Sequence, residues 1–272
     1  MTVKLFRVRL QRLFRGLGVL KFVEKLRYYL SILAWRKRNK IFIKENPGFA
    51  LPPSQLAYDA YDAPKWEIYK YGGEAVAKLI KSVASKYISP GSLSAVYEWG
   101  CGPGRIIRHL PAQFGPDVAI HASDYNEETI DWCKKNIPSV KFSLNQLNPP
   151  LDYPDNKFDL IYCISVFTHL SSSTGINWAN ELFRVLKKNG ILILTTHGQH
   201  SYQTELLADE KKKYQKEGVV VRDKYQEGKK MFLTMHNPQY VRETLLKNFE
   251  ILEYLPAGFP FNKQDYFIAK KA

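Results

Sequence analysis

The chain has 272 residues, of which 45% are hydrophobic, 14% aromatic and 24% charged. This aromatic content excludes a chain that is disordered throughout, and the scattered 16 Gly and 15 Pro exclude a collagen-like repeat. The three cysteines, Cys101, Cys133 and Cys163, form no CxxC pair, so we expect free thiols in a reducing, cytoplasmic setting. No apolar run approaches the roughly 20 residues of a membrane-spanning helix.

Most of the net charge of +14 lies at the N-terminus, because residues 1–45 hold 13 Lys or Arg against Glu24 and Glu45, a net +11. Apolar residues recur there at helical spacing, which predicts a basic amphipathic helix with the stripe Phe6, Leu10, Leu13, Phe14, Leu17 and Leu20. Such an arm fits an anionic membrane surface, nucleic-acid phosphates, an organelle transit peptide or packing on the main domain. The sequence favours the membrane over nucleic acid.

Residues 46–89 are predicted to join this arm to the main domain. Four prolines mark residues 46–65 as a linker, and a helical pattern follows over 65–84. Aromatic residues concentrate in this segment, as expected either for a lid over an acceptor or for packing: Tyr58, Tyr61, Trp66, Tyr69 and Tyr71.

Strands and helices alternate through residues 90–272. Strands are predicted at 95–99, 118–122, 140–144, 158–164, 191–196, 249–255 and 265–269. Helices are predicted at 105–111, 127–136, 176–188 and 237–246, and residues 199–235 are predicted to be an insertion. This order indicates a doubly wound, mostly parallel α/β sheet, which binds ligands at the carboxyl ends of its strands.

A glycine-rich turn follows the first predicted strand, in the stretch Glu98-Trp99-Gly100-Cys101-Gly102-Pro103-Gly104. Glycines let a ligand approach the backbone, and a helix starting here would offer free N–H groups to an anion. The spacing excludes a G-x-G-x-x-G dinucleotide site, because Arg105 stands where the third glycine would fall. No Gly-Lys-Ser/Thr follows, so a P-loop is also excluded.

The Glu-x-Gly-x-Gly-x-Gly pattern resembles motif I of the class I S-adenosylmethionine-dependent methyltransferases. Asp124 at the end of the second strand, the segment 156–161 and the turn 186–191 follow in the order typical of that family. The resemblance covers about residues 90–270 and implies a Rossmann-like sheet of seven strands, with 265–269 antiparallel beside the fifth strand. The segment 165–170 and the ending Gln264-Asp265-Tyr266 resemble a small-molecule and glycan-associated branch.

The resemblance implies S-adenosylmethionine as cofactor and assigns roles to individual residues. Glu98 would hold the methionine ammonium or the glycine loop, Asp124 would bind the ribose hydroxyls, and Asn145 or Gln146 stands where the family commonly has Asp. The implied cofactor-binding residues are Glu98, Gly100, Cys101, Gly102, Asp124, Tyr125, Asn145, Gln146, Leu147, Ile164 and Ser165.

His169 follows the fourth strand and His197 the fifth, so each is a candidate general base at the rim of the site. Either could instead cap a loop, and no histidine spacing predicts a metal site. The expected function is methyl transfer to a small-molecule or glycan-like acceptor, through a hydroxyl group. An RNA methyltransferase using the basic arm and a non-catalytic S-adenosylmethionine-binding module are the alternatives, and the sequence sets no oligomeric state.

Overall fold

A seven-stranded sheet forms the centre of the computed structural model, which describes residues 19–89, 91–260 and 262–272. Its strands are β1 (Ala95–Trp99), β2 (Ala119–Asp124), β3 (Lys141–Leu144), β4 (Phe158–Cys163), β5 (Leu186–Thr196), β8 (Glu250–Leu255) and β9 (Asp265–Lys270), while β6 (Val219–Arg222) and β7 (Leu233–His236) form a separate hairpin.

The strand order in the sheet is β3-β2-β1-β4-β5-β9-β8. The first five strands in this order are parallel, and β9 is antiparallel to both β5 and β8. The structure thereby confirms the predicted doubly wound sheet and the antiparallel strand beside the fifth. The order turns between β1 and β4, and such a switch point is where a ligand site is expected.

Helices cover both faces of the sheet and extend beyond it. They are α1 (Leu20–Glu45), α2 (Ser54–Tyr61), α3 (Gly73–Tyr87), α4 (Leu110–Phe114), α5 (Glu127–Asn136), α6 (Ser172–Val185), α7 (Gln199–Thr204), α8 (Ala208–Glu217) and α9 (Pro238–Tyr240). Among the described residues, none of these helices combines the length and apolarity needed to cross a bilayer.

The central strand β1 contributes to two separate cores, because successive side chains point to opposite faces of the sheet. In β1, Val96 packs in the core that includes Ile80 of α3 and Ile130 of α5. Its neighbour Tyr97 packs in the core that includes Trp178 of α6. Both faces of the central strand are therefore covered, and only its carboxyl end is left for a ligand.

The helix predicted over 105–111 is wrong in its bounds. A turn and a 3₁₀ segment (Ile107–His109) follow the glycine loop, and α4 begins only at Leu110 and ends at Phe114. Pro111 lies in the first turn of α4 and does not end it, because the first-turn N–H groups of a helix have no helical acceptor.

The helix predicted over 176–188 also ends early, at Val185, and β5 begins at Leu186. The lysines that follow are good helix formers, but Leu186 pairs with Phe158 of β4 instead. Lys157 also donates its N–H to the carbonyl of Val185, at 2.8 Å. Pairing with the neighbouring strand thus overrides local helix propensity.

Three other segments differ from the predicted pattern. The linker 46–65 contains α2, and the helix expected over 65–84 is a π-helical turn (Ile68–Gly72) followed by α3. Residues 199–235 contain two helices and the β6–β7 hairpin. In the N-terminal arm, the predicted stripe from Phe6 to Leu17 lies outside the described residues.

Asp159 of β4 fixes the start of β1. Its Oδ2 accepts the N–H groups of Ser94 and Ala95, both at 2.9 Å, and Lys187 donates to its Oδ1 at 2.8 Å. Partial burial raises the pKa of Asp159, but the hydrogen bonds from Lys187 and the two backbone N–H groups outweigh it and lower the pKa below its usual value.

Replacing this carboxylate should therefore destabilise the sheet. We expect Asp159→Ala to lower the free energy of unfolding at pH 7 by about 1–3 kcal/mol, because two backbone donors lose their acceptor. The depressed pKa means that this contribution is present above the unfolded-state pKa and is lost as pH falls below about 4. Urea denaturation at pH 7 and at a pH below about 4 measures the difference in unfolding free energy between the two proteins.

Asp155 provides the matched control, since its side chain is 67% exposed and pairs with Arg184 at the surface. We expect Asp155→Ala to cost about 0–1 kcal/mol. Equal losses in the two variants would show that Asp159 does not hold the start of β1.

Candidate active site

A cavity of about 1100 Å³ lies at the carboxyl ends of β1, β2 and β4. We call it the large cavity. Its floor is formed by the strand ends and the glycine loop, and its walls by α1 and α2. Its cover is formed by side chains within the loop 223–232, which joins β6 to β7. All eleven residues predicted to bind the cofactor line it: Glu98, Gly100, Cys101, Gly102, Asp124, Tyr125, Asn145, Gln146, Leu147, Ile164 and Ser165.

The glycine loop is tied to the end of β2 through its backbone. Gly100 and Cys101 both donate their N–H groups to the carbonyl of Ser123 at 2.9 Å, and Gly102 donates to Oδ2 of Asp124 at 2.9 Å. The expectation of free N–H groups for an anion is therefore wrong here. These donors are occupied within the chain, and no α-helix begins at the loop.

Glycine is required at position 100 for two independent reasons. Its φ of +74° is a left-handed conformation, and a Cβ would lie 2.5 Å from Cγ2 of Val166. At Gly102, with φ of +51°, a Cβ would lie 3.3 Å from the hydroxyl of Tyr61 in the cavity wall. The bare backbone thus leaves space that any side chain would occupy.

Cys101 contributes backbone to this loop, since its thiol is only 4% exposed and packs in the core beside Cys133. Burial raises the pKa of that thiol well above its usual value, so it stays protonated.

Asp124 is buried at the end of β2 with both carboxylate oxygens partly used. Oδ2 accepts the N–H of Gly102, and Oδ1 accepts the N–H of Asn126 at 2.9 Å. Burial is the largest influence and raises the pKa of Asp124 despite these bonds. Each oxygen retains a lone pair, so the carboxylate can still accept hydroxyl groups from a ligand in the cavity.

Asn145 is oriented by a chain of buried hydroxyl groups. Tyr97 donates to Ser123 Oγ at 2.5 Å, and Ser123 donates to Oδ1 of Asn145 at 2.6 Å. Gln146 is exposed at the rim, while the carbonyl of Leu147 is held by the indole of Trp178 at 2.7 Å. An amide therefore occupies the position where the family commonly has a carboxylate.

Glu98 is buried at the end of β1, 3% exposed, and accepts a hydrogen bond from Tyr162 at 2.8 Å. Burial raises the pKa of this carboxyl to about 8, although Tyr162 and Arg105 act in the opposite direction. The group is thus largely protonated at neutral pH when no cation lies beside it, and a cation in the large cavity would favour its ionised form.

Ser165 occupies the end of β4 in a left-handed conformation, with φ of 64°. Its hydroxyl donates to Oε1 of Gln264 at 2.8 Å, and its N–H donates to Oγ1 of Thr195 at 2.9 Å. These bonds hold a strained residue against Ile164 in the wall of the large cavity.

A second cavity of about 770 Å³, the side cavity, shares a wall with the large cavity. Ser165, His169, Tyr61 and Arg105 line both of them. His197 lines the side cavity alone. The two spaces therefore meet at the end of β4.

The two candidate bases differ in their surroundings. His169 Nδ1 lies 2.8 Å from the carbonyl of Phe232, which can only accept, so Nδ1 carries the proton and Nε2 holds the free lone pair. Burial lowers the pKa of His169, and the imidazole is neutral at pH 7. Burial lowers the pKa of His197 to about 3, which makes it a much weaker base.

The covering loop (residues 223–232) is a part of the site that the sequence did not indicate. Its carbonyl at Gly228 accepts the hydroxyl of Tyr125 at 2.9 Å, and Lys229 lies over the Tyr125 ring at 4.8 Å. Lys230 forms ion pairs with Glu24 of α1 at 3.3 Å and with Asp62 at 2.9 Å. Gly228, followed by Lys229 and Lys230, is a local pattern that could have marked this loop.

The aromatic segment before the sheet is divided between packing and lining. Tyr58 and Tyr61 line the large cavity, and the Arg105 guanidinium lies 4.5 Å from the Tyr61 ring. Tyr69 is buried beneath them and donates to the carbonyl of Pro103 at 2.6 Å, while Trp66 packs beside it. Some of these aromatic residues therefore line the large cavity, and others pack in the core.

Comparison with known proteins agrees with this geometry. Residues 96–190 match a family model described as a methyltransferase domain. A sterol 24-C-methyltransferase of Yarrowia lipolytica is 31% identical over 111 residues, which cover 38% of this chain and 27% of that protein. One from Schizosaccharomyces pombe is 26% identical over 191 residues, 62% of this chain and 48% of that protein. The chain thus spans about half or less of the curated relatives it matches.

Solved structures share the fold. An S-adenosylmethionine-dependent methyltransferase from Methanosarcina mazei superposes with a TM-score of 0.52 and 21% identity, covering 70% of this chain and 96% of that one. The family match over residues 96–190 and the shared sheet identify a methyltransferase domain with the fold of the class I S-adenosylmethionine-dependent methyltransferases. S-adenosylmethionine is the cofactor of that family.

The large cavity fits that cofactor. Bare backbone at Gly100 and Gly102, a buried carboxylate with free lone pairs at Asp124 and a buried acid at Glu98 follow one another along its floor. The N–H groups of Gly100, Cys101 and Gly102 are not free to bind a phosphate, and S-adenosylmethionine contains no phosphate.

Asp124 should dominate cofactor affinity. We expect Asp124→Ala to weaken binding of S-adenosylhomocysteine by about 30–150-fold, equivalent to about 2–3 kcal/mol from charged hydrogen bonds. Isothermal titration measures this, with Glu128→Ala at the exposed start of α5 as the control. An unchanged affinity would remove Asp124 from the site, and binding of NAD by the unaltered protein would overturn the cofactor assignment.

Cofactor binding should also depend on pH through Glu98. The pKa of Glu98 is raised to about 8, so below that pH the Glu98 carboxyl must lose its proton before it can pair with an ammonium group. We expect the affinity for S-adenosylmethionine to fall between pH 8 and pH 6, by about tenfold per unit at the limit.

Glu98→Gln should bind more weakly at pH 8 and lose this dependence. Titrations of both proteins across the range test it. The same pH profile in the variant would show that another group titrates.

Proposed function

We propose that this chain transfers the methyl group of S-adenosylmethionine to a hydroxyl group of a small-molecule or glycan-like acceptor. The observation that carries the proposal is the wall shared by the two cavities, where His169 and Ser165 face both spaces. An acceptor in the side cavity would meet the cofactor at this wall, next to a neutral imidazole. The names of the sterol relatives also state small-molecule acceptors, which supports the general class.

Within this proposal, different residues of the large cavity bind different parts of the cofactor. Asp124 accepts the ribose hydroxyls, Glu98 pairs with the methionine ammonium, and Asn145 with its two neighbours frames the adenine. Tyr125, held by the covering loop, closes the site above the nucleoside. Ile164 and Ser165 form the floor below the transferred group.

When bound, S-adenosylmethionine supplies an electrophilic methyl carbon on a sulfonium. The residues of this chain align the acceptor hydroxyl with the methyl group and remove the hydroxyl proton. His169 takes the hydroxyl proton on Nε2 while its Nδ1–H stays bonded to the carbonyl of Phe232. Because burial lowers the pKa of His169, the imidazolium readily passes that proton on.

Two alternatives have separate support. The exposed basic residues Arg36, Lys37 and Arg38 of α1 would suit an RNA methyltransferase. A non-catalytic module that binds S-adenosylmethionine would keep the large cavity and need no base. The three buried free cysteines and the basic N-terminus support a cytoplasmic protein working at a membrane surface.

A single substitution tests the role of His169. We expect His169→Ala to lower kcat by about 10²–10⁴ while cofactor affinity is unchanged, because the base acts only on the acceptor. The measurement is transfer of tritiated methyl from labelled S-adenosylmethionine into lipid, glycan and RNA fractions of a host extract, compared with the unaltered protein.

His197→Ala provides the contrast, since a pKa of about 3 makes His197 too weak a base. We expect a loss of less than about tenfold. A loss of less than tenfold for His169→Ala, accompanied by lower thermal stability, would show that His169 only caps its loop. Label confined to RNA would favour the first alternative, and absence of label from every fraction the second.

A further inference from the structure

The outward face of α1 carries a row of apolar side chains that nothing in the described part of the chain covers. We call it the α1 stripe: Phe22 (72% exposed), Leu26 (50%), Tyr29 (53%), Leu30 (55%) and Leu33 (63%). Their spacing of i, i+4, i+7, i+8 and i+11 places them on one side of a helix. Exposed apolar residues are common singly, but a contiguous row of five indicates an interaction surface.

The same face becomes basic toward the C-terminal end of α1. Arg36, Lys37, Lys40 and Lys44 continue the row at helical spacing and are exposed. The acid nearest to the stripe, Glu24, is turned inward, where it pairs with Lys230 and accepts the Tyr58 hydroxyl at 2.9 Å. The outward face therefore combines apolar area with positive charge that no acidic side chain of residues 19–89, 91–260 and 262–272 pairs with.

This face cannot rotate inward, because the opposite side of α1 is fixed to the body of the protein. Phe42 is 2% exposed and packs with Trp66 and Tyr69. Asn39 donates to the carbonyl of Pro64 at 2.7 Å. Together with the Glu24 contacts, these anchor both halves of the helix and hold the stripe outward.

The stripe also adjoins the large cavity. Tyr29 belongs to both, since it is half exposed on the stripe and lines the cavity. Lys21, Lys25 and Tyr28, on the neighbouring side of α1, line the cavity as well. A surface that covered the stripe would therefore lie at the opening of the large cavity.

We propose that the α1 stripe and its basic continuation dock the protein on an anionic lipid bilayer, so that the active site opens at the bilayer surface and its acceptor is an amphiphile held there. Charge complementarity identifies the occupant, because a basic and apolar face matches anionic headgroups above acyl chains. Each Lys or Arg near such a surface strengthens binding by about fivefold.

Two features favour a bilayer over RNA. Four of the five stripe residues have apolar side chains that carry no positive charge and form no hydrogen bonds. RNA is bound through phosphate contacts and base stacking, and phosphate contacts need charged or hydrogen-bonding groups. The basic residues also lie beyond the stripe along the helix, so the apolar part would itself face the bilayer. The acceptor class rests on the proposed methyl transfer, while the docking does not.

Flotation of the full chain with vesicles tests the docking. We expect binding to phosphatidylglycerol vesicles, weakened by salt, and no binding to phosphatidylcholine vesicles. Leu30→Asp should weaken vesicle binding by about 10–100-fold, the effect of losing one buried leucine. Leu255→Asp is the matched control and should float like the unaltered protein, because Leu255 is 41% exposed and lies in β8 at the edge of the sheet.

Three results would overturn the docking: no flotation of the unaltered protein, equal flotation of Leu30→Asp, or equal loss in Leu255→Asp. If residues 1–18 or a second copy cover the stripe, the unaltered protein does not float and Leu30→Asp changes its sedimentation instead. If RNA is the occupant, a uridine oligonucleotide binds both proteins equally and neither floats.

The acceptor class is tested separately, by adding tritiated S-adenosylmethionine and the protein to host membranes. Label in the lipid-extractable fraction, reduced in Leu30→Asp although its affinity for S-adenosylhomocysteine is unchanged, supports an amphiphilic acceptor. Label only in the water-soluble fraction overturns that class but leaves methyl transfer standing. Absence of label from every fraction overturns methyl transfer, and flotation alone then decides the docking.

Discussion

The site depends on one set of short backbone contacts, those between the glycine loop after β1 and the end of β2. The carbonyl of Ser123 receives two N–H groups of the loop, and the carboxylate of Asp124 receives a third. Because β1 and β2 are parallel neighbours, their ends are already adjacent, and these bonds turn the loop back over β2. The floor of the large cavity follows from that turn.

Burial controls the chemistry of the groups above this floor. It raises the pKa of Glu98 and Asp124, and it lowers the pKa of His169 and His197. A cation in the large cavity would favour the ionised form of Glu98, and the imidazoles are neutral at pH 7.

Elements distant in sequence complete the enclosure. Lys230 of the covering loop contacts Glu24 of α1 and the aromatic ring of Tyr58 in α2, at 3.5 Å from its centroid. These contacts join the covering loop to α1 and α2. The same contacts fix the orientation of α1, which connects access to the cavity with the surface that α1 presents.

The sequence by itself determined the sheet class, the loop and the strand-end residues. Residues at strand ends, such as Glu98 and Asp124, could be assigned because parallel strands place their carboxyl ends at one edge regardless of the packing around them. Short-range patterns of this kind need no knowledge of distant contacts. The helix predicted at 127–136 belongs to the same group, since α5 spans Glu127–Asn136.

The tertiary structure decided what depends on contacts between distant segments. Strand pairing at Leu186 ended α6 early, and the hydrogen bond of His169 to Phe232 selected the nitrogen that can act as a base. The covering loop and the outward face of α1 also belong here. Which side of a helix is buried, and which loop closes a cavity, follows from long-range packing that local spacing does not encode.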